Sequence, residues 1–452
     1  MSSHYEPLTT LSGARDAIVS LAFSAKAKFV SAAGYSGVCV WDLSTSAPTP
    51  LPHMLFAPQN PKYVMTSSAW VYFQKNKRHI LLLGSMRGDM ILWDYRSDIK
   101  SFQVLYRVPP MENTTDEILS MDVYEQDISP GRVGRVVAAT ASRRITVWTL
   151  SSSGEFSQVF STMLDENINP KTVRMCKITR DIFVFPFYGG EILCLDYKTG
   201  AIKSRKSHGP AMMGSVALSN TSNKFVAYTG KNFQLYRLTT LEVLKTFSAG
   251  TPVVMFSKTV AFGESDNIVV GGTDRGCALI YEVNTEEILQ ALNYPRGGLV
   301  QPTITLPDRH LVAIAGSTAQ QPAEVILFEK LIPPEETSSL SLPTVTHRDV
   351  ITAHPPADFI FVGFYLPKKK TWYWAILSVL AVLAFIGYHI FPQHLPQVCL
   401  FCCHSEINID GRWCRSPHSI ETRNQTITGT RFRKVWVLTG GPGIFTGQTW
   451  IM

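Results

Sequence analysis

The sequence predicts an all-β protein: a seven-bladed β-propeller closed by an N-terminal strand, followed by a single C-terminal transmembrane α-helix and a short tail. Three observations predict it. A two-strand pattern recurs seven times, an apolar strand-like run precedes each copy, and one uncharged stretch of bilayer-spanning length stands apart from the repeats.

The clearest copy runs from Phe29 to Asp42, where two β-rich runs flank the short turn Ala33–Gly37 and the second ends in Val40-Trp41-Asp42. Leu81 to Asp94 repeats it, ending in Ile91-Leu92-Trp93-Asp94, and Val136 to Thr149 closes with Val147-Trp148-Thr149. Four weaker copies end at Leu195, Tyr236, Tyr281 and Phe328. The terminal apolar positions (Trp41, Trp93, Trp148, Leu195, Tyr236, Tyr281 and Phe328) lie 52, 55, 47, 41, 45 and 47 residues apart. A four-stranded blade needs roughly 40–45 residues plus its loops, so the period fits.

Runs such as Ala17–Phe23, Ile118–Val123 and Thr259–Phe262 precede the copies and suit inner strands, expected to be apolar on both faces. Half-polar runs such as Glu242–Phe247 and Glu287–Leu292 suit outer strands, where alternation protects an edge. Pro7 to Leu11 has the character of one more outer strand.

Trp41-Asp42 and Trp93-Asp94 resemble the dipeptide that names the WD-repeat family, and the seven copies span about residues 8–330; the resemblance implies that the Pro7 to Leu11 strand completes the last blade and removes the open edge. The chain also loosely resembles uncharacterised fungal WD-repeat membrane proteins. The family's Gly-His pair is absent, with Gly13-Ala14 and the reversed His208-Gly209 its nearest relics. The polar network that resemblance would imply is therefore mostly missing, and apolar contacts are expected to hold the blades.

Charge excludes one class of function. The chain has 42 Lys+Arg and 35 Asp+Glu, but nine and three of these lie from Lys368 onward. The preceding 33 basic and 32 acidic residues leave the ring nearly neutral, without the field that gathers nucleic-acid phosphates. No small-molecule substrate and no cofactor are indicated by any motif.

Thr371 to Phe391 is uncharged for 21 residues, ten of them Leu, Ile, Val or Phe. A helix of that length reaches roughly 31 Å, matching a hydrocarbon core, and those ten side chains favour insertion by roughly 3–6 kcal/mol. Trp372 and Trp374 suit an interfacial belt, and Lys368, Lys369 and Lys370 place the preceding domain on the cytosolic side. The N-terminus has no apolar signal segment, which agrees. The domain plan is thus a propeller over 5–331, a Pro-containing stalk over 332–370, a membrane helix over 371–391 and a Cys-containing lumenal tail over 392–452, expected to have little order. An endomembrane, the endoplasmic reticulum first, is the expected location. Within the stalk, Asp358 to Tyr365 reads as a strand.

Cys399, Cys402, Cys414 and His418 have spacings that a tetrahedral zinc site can use, while an oxidising lumen would instead pair cysteines as disulfides, and a third reading gives these residues and Cys403 no defined role. Asn424 opens a glycosylation sequon, reachable only by a lumenal tail. Gly440 to Gly443 lacks the lysine of a phosphate loop. No nucleophile elbow or metalloprotease motif occurs. The function expected is a membrane-anchored scaffold that binds cytosolic protein partners without catalysis. The alternative is a guanine-nucleotide exchange factor for a small GTPase, because the layout resembles the exchange factors of endoplasmic-reticulum coat assembly. Blade one, however, offers only the short turn Ala33–Gly37 where a long glycine-rich loop would be sought.

Overall fold

The computed structural model describes residues 4–53, 59–110, 115–254, 256–306, 310–317 and 322–331. The stalk, Thr371 to Phe391, the tail cysteines, His418 and Asn424 lie outside the described residues.

Seven antiparallel sheets form the ring. Blade one, from the axis outward, is Ile18–Phe23, Phe29–Gly34, Gly37–Asp42 and Ala47–Pro48. Blades two to six repeat the order, with innermost strands Met65–Phe73, Ile118–Val123, Pro170–Met175, Val216–Leu218 and Val260–Gly263. Blade seven takes three strands from the end of the ring, Leu299–Leu306, Leu311–Ser317 and Val325–Lys330, and its fourth from the beginning, Tyr5–Leu11. That fourth strand pairs Tyr5 with Lys330 and Leu11 with Val325, so the predicted closure is present. All seven marker residues, from Trp41 to Phe328, fall on the third strand of their blade.

Each inner strand packs on the next around the ring, and blade one meets blade seven. The core is divided accordingly into seven apolar clusters, one between each pair of blades. The cluster of blades one and two holds Phe29, Trp70, Leu81, Trp93 and Phe102, for example.

Three features depart from the sequence expectation. The most completely buried strand is the second, not the innermost. Phe29–Gly34 and Ile182–Pro186 are buried throughout, whereas Ile18–Phe23 and Val260–Gly263 expose part of one face. The innermost strand borders the central channel, so only the strand behind it has neighbours on both faces and both edges. Blade two also gains a fifth strand, Asp127–Ile128, which pairs in parallel with the inner edge at Tyr72 and Phe73.

The third departure concerns what joins the blades. Apolar packing is supplemented by hydrogen bonds from one inner strand to the next. Ser20 Oγ accepts the Ser68 amide at 3.1 Å, Ser67 Oγ the Met121 amide at 3.0 Å, and Ser120 Oγ the Val173 amide at 3.2 Å. Asp122 Oδ2 accepts the Met175 amide at 2.7 Å. An innermost strand leaves its channel-side amides unpaired by its own sheet, and a buried unpaired amide is costly. Short acceptors on the neighbouring blade remove that cost without the family's His-based network.

Close approach also restricts residue choice. A Cβ on Gly34 would lie 2.1 Å from the Ala17 carbonyl oxygen, an atom of the adjoining inner strand's approach that also accepts the Tyr35 amide. Gly34→Ala is expected to cost about 2–3 kcal/mol through forced backbone displacement, read as a lower urea midpoint. An unchanged midpoint would show that the Ala17 carbonyl can move freely.

Candidate docking faces of the ring

Because the inner strands all run the same way, the ring has two distinct faces. The top face carries the connections into each inner strand and the turns between second and third strands. The bottom face carries the turns between first and second strands and those between third and fourth.

At the top, exposed apolar residues gather over blades four to six. Tyr188 is 63% exposed, Val253 74% and Phe256 51%. Met212 joins them: it faces Tyr188 through an isolated antiparallel bridge and lies against Gly230. The segment bearing Val253 and Phe256 adjoins this group, since Ser257 packs against Gly214.

Beneath that segment sits a buried ion pair. Lys258 Nζ lies 3.2 Å from Asp274 Oδ2, with the two side chains only 2% and 3% exposed. Asp274 Oδ2 also accepts the amides of Val253 and Val254, at 2.7 and 2.8 Å. The Lys258 ammonium donates to the carbonyls of Val254 and Phe256, at 2.8 and 3.0 Å. Burial opposes ionisation of Asp274, but the Val254 and Val253 amides and Lys258 outweigh it and hold the carboxyl below its usual range. Swapping a buried ion pair for apolar residues is often neutral or stabilising, so the pair by itself is a poor explanation of stability. Its visible effect is to fix four backbone groups of a loop whose apolar side chains remain in water.

Charged groups also occupy the channel mouth. Burial raises the Glu117 carboxyl and lowers the Lys171 ammonium from their ordinary values, each partly relieved by the other's charge. The Tyr35 phenol is raised by burial and by the charges of Glu117 and Asp16. Among the described residues no nucleophile is hydrogen-bonded to this pair, and no group of three or more His, Cys, Asp or Glu is placed to hold a metal.

The bottom face is electrically divided. Turns of blades one, two and four carry Lys26, Lys28, Lys75, Lys77, Lys100 and Arg180 against Asp42, Asp98 and Asp196, blade three between them carries Glu125 and Glu155 with Arg132, and those of blades five and six carry Glu242, Glu264, Asp266, Glu286 and Glu287. Several sit at left-handed turn positions: Lys26 (φ 61°), Lys77 (φ 52°), Lys100 (φ 49°) and Arg180 (φ 67°) among the cations. Glycine or asparagine serves such positions with less strain. Aromatic rings lie beneath the cations, Lys26 over Tyr72 at 5.0 Å and Arg180 over Tyr124 at 5.9 Å. His79 is buried beside Tyr72 and pushed down to about 4, by burial first and then by Lys28 and Lys26.

Of the residues that sequence singled out, the seven blade markers are structural. Six are buried, and Trp148, half-buried, stacks on Phe156. Cys39, Cys176, Cys194 and Cys277 are free thiols, with burial pushing Cys39 and Cys194 up to about 11. The candidate zinc ligands Cys399, Cys402, Cys414 and His418, the flanking Lys368, Lys369, Lys370, Trp372 and Trp374, and Asn424 belong to the stretch not described. Among the described residues no helix is long and apolar enough to cross a membrane. Sequence inspection passed over Tyr188, Met212, Val253 and Phe256, which converge only through the ring; Pro252-Val253-Val254 just before Lys258 was the one local signal.

Comparison with protein-family models and with curated proteins returns no match. The architecture is therefore what is shown, a seven-bladed β-propeller, an arrangement consistent with the WD-repeat resemblance.

Proposed function

We propose that this chain is a non-catalytic, membrane-anchored scaffold whose cytosolic propeller docks a protein partner across the top of blades four to six. A rigid ring displaying many loops is suited to interaction. The observation that carries the top-face assignment is the Lys258–Asp274 clamp. It holds Val253 and Phe256 in a fixed, solvent-facing arrangement. Pre-fixed apolar side chains bind with less ordering cost, and Tyr188 and Met212 extend the contact with residue types favoured at interfaces. The anchor rests on the composition of Thr371 to Phe391, and the protein's confinement raises the local concentration of whatever it binds.

The exchange-factor alternative gains no support from blade one, where Gly34 and Gly37 are joined by Tyr35-Ser36 alone.

The test is proximity labelling from the full-length chain in cells, comparing wild type with the doubly substituted Val253→Asp, Phe256→Asp variant. Removing two anchoring contacts is expected to lower labelling of the docked neighbour roughly tenfold or more. Both positions are exposed, so the thermal midpoint should hold. An identical neighbour set for both proteins would refute this surface.

A further inference from the structure

We infer that the basic half of the bottom face, on blades one, two and four, lies against an anionic lipid bilayer. This inference rests on the anchored reading above.

Four observations bear on it. The first is where the chain leaves the ring. Its last described residue, Leu331, donates its amide to the His4 carbonyl at 2.9 Å, on the bottom rim of blade seven, where the adjoining Tyr5 and Lys330 are both bonded to Glu264 of blade six. From there 39 residues, 332–370, lead to the uncharged stretch, and they end in Lys368-Lys369-Lys370. The bottom face is thus the one the tether starts from.

The second is charge. Lys26, Lys75, Lys77 and Arg180 are exposed, and none is engaged in an ion pair among those found in the described residues. Cations near an anionic leaflet are each attracted weakly, but a tether makes their contact intramolecular and their effects accumulate.

The third is the backbone. Lys26, Lys77, Lys100 and Arg180 occupy left-handed turn positions where a long cationic side chain is not the least strained choice. The acidic blades fill the same kind of left-handed turn position with Glu264 (φ 51°), Asp266 (φ 72°) and Glu286 (φ 67°), so the turns belong to the fold, and only the sign of the charge placed in them distinguishes this sector.

The fourth is apolar. Ile178, 57% exposed, lies between Lys177 and Arg180 in the same turn. Lys177 is fixed by donating to the Val123 carbonyl at 2.7 Å and to that of Tyr124. An apolar tip flanked by basic residues matches the boundary between headgroups and acyl chains.

A nucleic acid fits less well. Tyr72 and Tyr124 are covered by Lys26 and Arg180 rather than open for stacking on bases. Glu242, Glu264, Asp266, Glu286 and Glu287 would repel phosphates across the other half of the face. A flat bilayer needs only one sector, and the ring can tilt the acidic blades away.

The test uses the full chain reconstituted into vesicles of phosphatidylcholine alone, or with phosphatidylserine as a substantial minority. Amide exchange is followed at residues 24–28, 74–77, 97–100 and 176–181. Slowing of roughly fivefold or more is expected only with phosphatidylserine, and it should vanish at high salt. The combined Lys26→Glu, Lys77→Glu, Arg180→Glu variant should lose the slowing while floating with vesicles as before. Lys77→Gly, which removes charge and relieves the turn, should weaken it with no fall in thermal midpoint.

Equal exchange in both vesicle types overturns the proposal. So does slowing produced by an acidic peptide or RNA but not by phosphatidylserine. Failure to float with phosphatidylcholine alone overturns the anchor only. Phosphatidylserine vesicles added to that soluble chain then decide the face: slowing at these turns supports it, and none overturns it.

Discussion

Trp70→Ala is expected to destabilise the ring by about 3–5 kcal/mol, the cost of emptying a large core site whose surroundings relax only in part. Trp70 is fully buried on the inner strand of blade two. Its indole nitrogen donates to the Ala22 carbonyl at 3.1 Å and to Ser31 Oγ at 3.0 Å, both in blade one. Its ring stacks on Phe29 at 5.7 Å and meets Phe102 edge-on at 5.8 Å. The substitution therefore opens a void and also removes the donor to Ser31 Oγ, which keeps only its own bond to the Ala22 carbonyl, in apolar surroundings that cannot replace the lost one with water. Trp70→Phe should retain most of the packing and lose mainly the hydrogen bonds, so its loss should be clearly smaller. Urea unfolding followed by circular dichroism measures both; equal midpoints for Trp70→Ala and wild type would mean that blades one and two are joined by other contacts.

Asp274→Ala should come close to that cost, about 3–5 kcal/mol, because it strands the buried Lys258 ammonium without its counter-charge. It also releases the amides of Val253 and Val254. Two readouts should change together: the unfolding midpoint falls, and the 251–258 loop becomes open to limited proteolysis. The same pair predicts a pH dependence. A carboxyl held below its usual range binds fewer protons folded than unfolded, so its stabilisation is full above the unfolded value and drains away as pH falls through the lowered folded one. In the joint replacement Lys258→Met, Asp274→Leu the ring should recover most of its stability and lose this acid-side dependence. Survival of the dependence in that double variant would assign it to other carboxylates.

The ring itself was legible because a blade writes its signature locally. A turn followed by an apolar-ending strand needs only about fourteen consecutive residues, as from Phe29 to Asp42, and even Leu195 and Phe328 keep the position. The closing strand was readable for the same reason, as Pro7 to Leu11 has an outer strand's composition without a blade of its own. What was not legible depends on partners distant in sequence. Ser20, Ser67 and Ser120 look like weak points in apolar runs until each is seen to accept an amide from the next blade. Asp127-Ile128 has no strand pattern of its own and is extended only because Tyr72 and Phe73 offer a free edge. Tyr188 and Val253 are 65 positions apart, and no periodicity links them. The opposed charges of the bottom face follow equally from order around the ring, since the turns of blades four and five are far apart in composition but adjacent in space.

The strand that completes blade seven has a kinetic consequence. Residues 5 and 330 are cross-strand partners, so the last pairing joins nearly opposite ends of the ring-forming segment. Contacts so remote in sequence form slowly, because the entropy of bringing the ends together is spent before any bond is made. Until Lys330 has emerged from the ribosome, six complete sheets carry an unmated margin at blade seven, a template for the wrong neighbour. Tyr5 limits that interval once it arrives: its amide and carbonyl are bonded by Gln290 and its hydroxyl by Glu264, both in blade six, while Glu264 also grips Lys330. Arrival of the first strand thus locks two sheets at once, turning an open spiral into a circle with no end from which to unravel.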